Sequence, residues 1–349
     1  MIVLRLLAFV LGFSIVAATV YSAVATFVLP RNARSQVTRV AFVTLRYLFS
    51  LRLRALQSYA RRDRLMAFYA PVSLLALLPI WLALTLAGYT FMFWAVGASS
   101  WYEAFRDSGS SLLTLGFSPL EGIPQTVLGF SEATIGLMLI ALLIAYLPSI
   151  YGAFSRRETA VTLLEVRAGS PPTAVEMIQR YHRIHTLEGL GEQWATWETW
   201  FADVEESHTS LAALVFFRSP RPEHSWVTAA GAVMDAAALT LSAVDIPPDP
   251  RAALCIRAGY LSLRHIADFF TIPYDRNPQF PAVSISVSRG EFDAACDRLV
   301  SSGVPVKPDR DQAWKDFGGW RVNYDATLLA LCVLTMAPEA PWSSDRARR

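Results

Sequence analysis

From Leu65 to Gly97 the chain carries no charged residue, and from Ala133 to Ala153 there is again none. Runs of that length cross roughly 30 Å of hydrocarbon as helices, and inside lipid a chain can hold its backbone polar groups only by helix or closed barrel. Residues 1–29 form a third apolar run, broken by Arg5 alone. A cleaved signal peptide competes for this first run, but the apolar stretch outlasts a roughly 7 to 15 residue signal core and no basic segment precedes it. Composition agrees: 53% of the 349 residues are hydrophobic and 17% charged, with a mean hydropathy of +0.34. A soluble domain carries about 25% charge, so part of this chain belongs in a membrane.

Charge sets the orientation. Between the first and second runs stand Arg31, Arg34, Arg39, Arg46, Arg52, Arg54, Arg61, Arg62 and Arg64 against the single acid Asp63. Basic loops stay on the cytoplasmic side. The loop from Ala98 to Glu132 holds Arg106 against Glu103, Asp107, Glu121 and Glu132, so it is expected outside; Arg156 and Arg157 bring the chain back in. The basic linker, residues 30–69, interleaves arginines with Val40, Phe42, Leu45 and Leu48. It reads either as a helix on the inner leaflet or as a topology signal alone. Two lysines against 29 arginines suggest GC-rich coding, and the expected location is a plasma membrane, the inner membrane of a bacterium. The overall charge of +2 gives no basic field for nucleic acid.

The outside loop is the informative segment. Trp101 to Ser118 reads WYEAFRDSGSSLLTLGFS, too apolar for a solvent loop and too short to span. A short helix followed by extended backbone at membrane depth is tolerated only where protein or a water-filled cavity covers it.

On these residues the segment resembles the pore loop of the potassium channel family and the wider pore-loop cation channels. Thr114, Leu115, Gly116, Phe117 and Ser118 fall in order on the five filter places Thr-Val-Gly-Tyr-Gly. Ala104, Ser108 and Ser111 match the pore-helix pattern that Trp101 opens. The order of span, loop 99–118 and span, within residues 70–153, matches as well. The resemblance implies an ion filter of backbone carbonyls built from four copies of the chain, with potassium or another monovalent cation as its partner. It further implies that Phe117 packs outward against pore helices and that Glu103, Asp107 and Glu121 concentrate cations at the mouth. Leu113, Ser118 and Pro119 depart from the family pattern at a threonine, a glycine and an aspartate, which weakens potassium preference in particular. Along the third span Ser131 is expected as the helix cap with Glu132 on the helix dipole, and Gly136, Pro148 and Gly152 as hinge candidates for a gate.

Residues 154–349 read as a mostly helical cytoplasmic domain. Helices are expected at Thr159 to Ala168, Thr173 to His185, Gln193 to Glu206, Ser225 to Val244 and Arg251 to Phe270, with a capping box at Ser288 and Glu291 and a buried helix over Asn323 to Met336. His182 and His185 with Glu188 lack a third strong metal ligand, and Trp194, Trp197 and Trp200 read as a packing face. Arg218, Ser219 and Arg221 could hold a phosphate, though a solvated turn is the simpler reading. No nucleotide loop, nucleophile elbow or zinc framework stands in the chain, and the three cysteines, Cys255, Cys296 and Cys332, lack metal spacing. The expectation is an all-α membrane protein of three transmembrane helices and a re-entrant pore loop, in contact with membrane lipid. It is expected to act as a homotetrameric cation channel, gated or assembled through the cytoplasmic helical domain, without cofactor, metal or catalytic residue. The alternative is a membrane-anchored signalling or scaffold protein with a degenerate pore loop.

Overall fold

The computed structural model describes residues 2–29, 35–184 and 186–346. Arg31 and Arg34 of the basic linker, and His185 of the histidine pair, lie outside the described residues. Among those described the chain is all helical, with no strand and one isolated bridge between Val244 and Val306. It divides into two compact units, Met1–Gln57 with Leu65–Gly152, and Ser58–Arg64 with Ala153–Arg349.

The first unit starts with α1 (Ile2–Phe27), apolar around its whole circumference. Its buried residues Ala8, Gly12, Val16, Thr19 and Ala23 recur every three or four positions and so form one stripe of mostly small side chains. Next come α2 (Gln36–Leu53), α3 (Tyr59–Ala67) and α4 (Tyr69–Val96). The α1 stripe packs on α4, where Gly12 and Gly88 face each other: a Cβ on Gly88 would sit 2.8 Å from the Gly12 carbonyl oxygen. Small residues at such a crossing let two backbones approach and gain dispersion contact where lipid offers no hydrophobic drive. Trp81 of α4 donates its indole N–H to Ser22 Oγ at 3.0 Å, and Ser22 meets Ser35 Oγ, the N-cap of α2, at 2.6 Å. A hydroxyl chain thereby ties three helices together at buried positions.

α5 (Trp101–Leu112) and α6 (Ile123–Ala168) follow. α6 overturns two expectations. Ser131 is no cap, because the helix begins at Ile123: Gly122 turns the chain at φ +84°, and Pro124 fits a first turn where its missing N–H costs nothing. Ser131 instead bonds Tyr89 Oη at 2.8 Å. Nor do the run from Ala133 to Ala153 and the stretch from Thr159 to Ala168 form separate helices; α6 passes Pro148 and Gly152 and runs on to Ala168.

The second unit contains α7 (Ala174–Arg183), α8 (Leu190–Ser210), α9 (Trp226–Ala243), α10 (Pro250–Phe269), α11 (Arg289–Ser301), α12 (Arg310–Arg321) and α13 (Asp325–Thr335). α9 is the axis of its core, touched by α7, α10, α12 and α13. Its alanines and Gly231 allow this crowding, since a Cβ on Gly231 would meet Leu328 at 3.0 Å. Its single charge, Asp235, accepts from Arg321 at 2.5 Å and from Tyr324 Oη at 2.8 Å, and Arg321 also holds Asp325 at 2.7 Å. The expected capping box is present: Ser288 and Glu291 satisfy each other's backbone N–H groups at the start of α11.

Among the described residues, four helical stretches are long and apolar enough to cross a membrane: α1, Tyr59–Val96, α6 and α9. α9 differs from the others in being almost wholly enclosed by protein, with every residue but Leu241 buried. The burial of its side chains within the domain accounts for its apolarity.

Candidate functional site

The segment between α4 and α6 starts with α5, whose first turn is closed by Ser100 Oγ accepting from the Glu103 N–H at 3.2 Å. Glu103 reaches back to the N–H of Ser99 at 2.7 Å and to its hydroxyl, so its carboxylate serves the helix start. Trp101 stacks on Trp94 with ring centroids 4.5 Å apart, fixing the helix against the end of α4. Ala104 and Ser108 are fully buried on the inward face.

At the far end of α5 the chain reverses. Thr114 takes φ +54° and Gly116 φ +70°, while the N–H groups of Thr114 and Leu115 return to the carbonyls of Ser111 and Ser110 at 3.0 and 2.8 Å. A left-handed residue after a helix satisfies its last carbonyls in this way. Thr114, Leu115, Gly116 and Phe117 are all exposed in the single chain. Phe117, expected to pack its ring, is 59% exposed and has no ring partner among the described residues.

Ser118 is the opposite case and is buried. Its N–H donates to Ser110 Oγ at 3.2 Å and its hydroxyl to Asp107 Oδ1 at 2.5 Å. Where the resemblance expects glycine, the chain has a serine with negative φ, held by two side chains of α5. Asp107 is therefore no acid of an outer mouth; it is 4% exposed and spent on Ser118. Glu121 remains exposed.

Behind α5, Ser108 Oγ lies 2.6 Å from Glu132 Oε1 and 3.1 Å from the Leu86 carbonyl, a bridge joining α4, α5 and α6. Glu132, expected in the first turn of its helix, stands two turns further in and is fully buried, with no partner for Oε2 among the described residues. Ser111 Oγ bonds the Asp107 carbonyl at 2.8 Å. Gly136 packs beneath the end of α5, where a Cβ would sit 2.7 Å from the Leu112 carbonyl oxygen, so close approach explains this glycine. Pro148 and Gly152 lie more than two turns further along α6, away from the loop. Sequence reading missed Ser110 and misplaced Asp107 and Glu132. The available signal was Asp107 set three and four residues before Ser110 and Ser111, on one face of α5.

The other candidates resolve into structure. Arg218 donates to Asp63 Oδ1 and to the Thr335 carbonyl, both at 2.6 Å, and Arg221 to Glu165 at 2.7 Å, so they form no phosphate cradle. Trp194, Trp197 and Trp200 are buried, Trp197 and Trp200 with centroids 4.5 Å apart, a packing face. Among the described residues no group of three or more histidine, cysteine or acidic side chains gathers for a metal. Burial pushes the Cys332 thiol up to about 12, far from a thiolate at neutral pH. Arg157, read as a topology signal, is fully buried and bonds His208 Nε2, the Leu214 carbonyl and the Phe217 carbonyl at 3.1, 2.9 and 2.7 Å. Compared with family models, curated proteins and solved structures, the chain matches none.

Proposed function

We propose that the chain is a homotetrameric cation channel of the plasma membrane, weakly potassium-preferring, with residues 70–153 as its pore domain. In this reading α1, α4 and α6 cross the bilayer, the amino terminus lies outside, and residues 154–349 form a cytoplasmic domain. The observation that carries it is the loop after α5: four consecutive residues, Thr114 to Phe117, stand exposed between two apolar helices while Ser118 is anchored behind them. A lone strand cannot ring an ion, and four copies can replace its hydration shell with carbonyls. Exposure of Leu113, Leu115 and Phe117 at 55%, 59% and 59% is what a surface completed by neighbouring copies requires. Thr114 and Gly116 supply inner carbonyl sites, and Ser118 and Pro119 alter the outer turn, which motivates weak selectivity.

Reconstitution into liposomes tests this. Purified protein should cross-link to a tetramer and release potassium when a gradient is imposed. A monomer without flux for any ion tested would reverse the proposal in favour of a membrane-anchored scaffold.

A further inference from the structure

The linker helix α2 has one face committed to its own unit and one left over. Its inner face is settled by protein: Tyr69 Oη donates to the Phe42 carbonyl at 3.2 Å, the Phe42 and Phe49 rings meet Tyr69 edge-on, and Ala41 and Leu53 are buried. The outer face carries Val40, Val43, Tyr47 and Leu51, spaced three or four residues apart and 64%, 60%, 61% and 43% exposed. That spacing makes one continuous apolar stripe. Arg39, Arg52 and Arg54 are exposed at the two ends of this stripe. The only acid in residues 30–69, Asp63, is already paired with Arg218 at 2.6 Å, so no carboxylate within that stretch neutralises them.

A stripe of large apolar side chains ended by unneutralised arginines has the chemistry of a bilayer boundary: acyl chains beside the stripe, phosphates beside the guanidinium groups. An acidic soluble partner would answer the charge but leave the stripe in water. We infer that the outer face of α2 is a docking surface for anionic phospholipid of the inner leaflet, with Arg39, Arg52 and Arg54 as its headgroup contacts. This surface stands independently of the pore reading and rests only on the proposed orientation, in which the linker after α1 lies on the cytoplasmic side.

The test uses the full chain in neutral detergent, titrated with phosphatidylglycerol or with phosphatidylcholine of the same acyl chains and read by native mass spectrometry. Phosphatidylglycerol should be retained in preference, and the preference should erode as added salt shortens the Debye length from roughly 10 Å at 0.1 M. The triple variant R39Q/R52Q/R54Q should lose about fivefold of that preference per arginine. Equal retention of both lipids by the wild type, or an unchanged preference in the folded triple variant, would overturn the inference. Should the variant not fold, the wild-type salt titration decides, and a preference indifferent to salt would overturn it as well.

Discussion

At the scale of single residues, the side chain that most distinguishes the loop is Ser118. Its hydroxyl is the donor to Asp107 Oδ1, and both groups are buried. Ser118→Ala would strand a buried carboxylate oxygen, a loss of about 1 to 3 kcal/mol. Removing both partners leaves no orphan, so the double variant D107A/S118A should be less destabilised than the two single variants summed. Thermal unfolding of the detergent-solubilised protein measures this cycle, and strict additivity would deny the contact. Such a pairing is invisible in the sequence, because residues eleven apart across a helix end share no periodicity. Asp107 alone reads as one more acid in an outside loop, and only the reversal at Thr114 and Gly116 folds Ser118 back over it. The capping box of Ser288 and Glu291 was legible for the converse reason: its partners are three residues apart and fixed by helix geometry.

Among the elements, apolar runs and caps announced nearly every helix, including the buried α13. α12 escaped notice. Its sequence RDQAWKDFGGWR buries only Ala313, Phe317, Gly318 and Arg321, too few apolar positions for a periodic signal, although Asp309 caps it by accepting from the N–H groups of Asp311 and Gln312. The start of α6 was misjudged because charge-free counting begins after Glu132, whereas the helix tolerates that carboxyl by burying it against Ser108. The crossing of α1 and α4 leads to a prediction. Gly88→Leu inserts a side chain where even a methyl would lie 2.7 Å from Val16 and 2.8 Å from the Gly12 carbonyl. The helices must separate, costing about 1 to 3 kcal/mol, and the melting temperature in detergent should fall. In α6, Pro148→Ala restores a backbone donor within a continuous helix. If Pro148 is a gate hinge, single-channel records should show changed open probability at unchanged ion preference; unaltered gating would remove it from that role.

For the whole molecule, the second unit encloses an ionisable core, and pH is the lever on it. Burial, and then the neighbouring Arg157, hold the His208 imidazole well below its usual range, so the folded ring is neutral. Arg157 can only donate, which makes Nε2 the acceptor of their 3.1 Å bond. In the unfolded chain the ring titrates near its ordinary value of about 6.5. Below that pH the unfolded state therefore binds a proton that the folded state refuses, and stability must fall with falling pH, by at most about 1.4 kcal/mol per unit. Urea unfolding of the full chain at pH 7.5, 6 and 5 should show this slope, and His208→Gln should flatten it; the same slope in the variant would assign it to other groups.

In the proposed channel, conduction would rest above all on Gly116. No atom lies within 4 Å of where its Cβ would be, so a methyl there clashes with nothing and acts only through the backbone, which sits at φ +70°. Holding a non-glycine residue left-handed costs about 1 to 2 kcal/mol, enough to turn the carbonyls away from an axis. Planar-bilayer recording with potassium chloride on one side and sodium chloride on the other reads the filter directly. The wild type should pass cations with a reversal potential shifted modestly toward potassium, and Gly116→Ala should pass none. Anion-selective current in the wild type, or wild-type current retained in Gly116→Ala, would contradict a filter at Thr114 to Ser118.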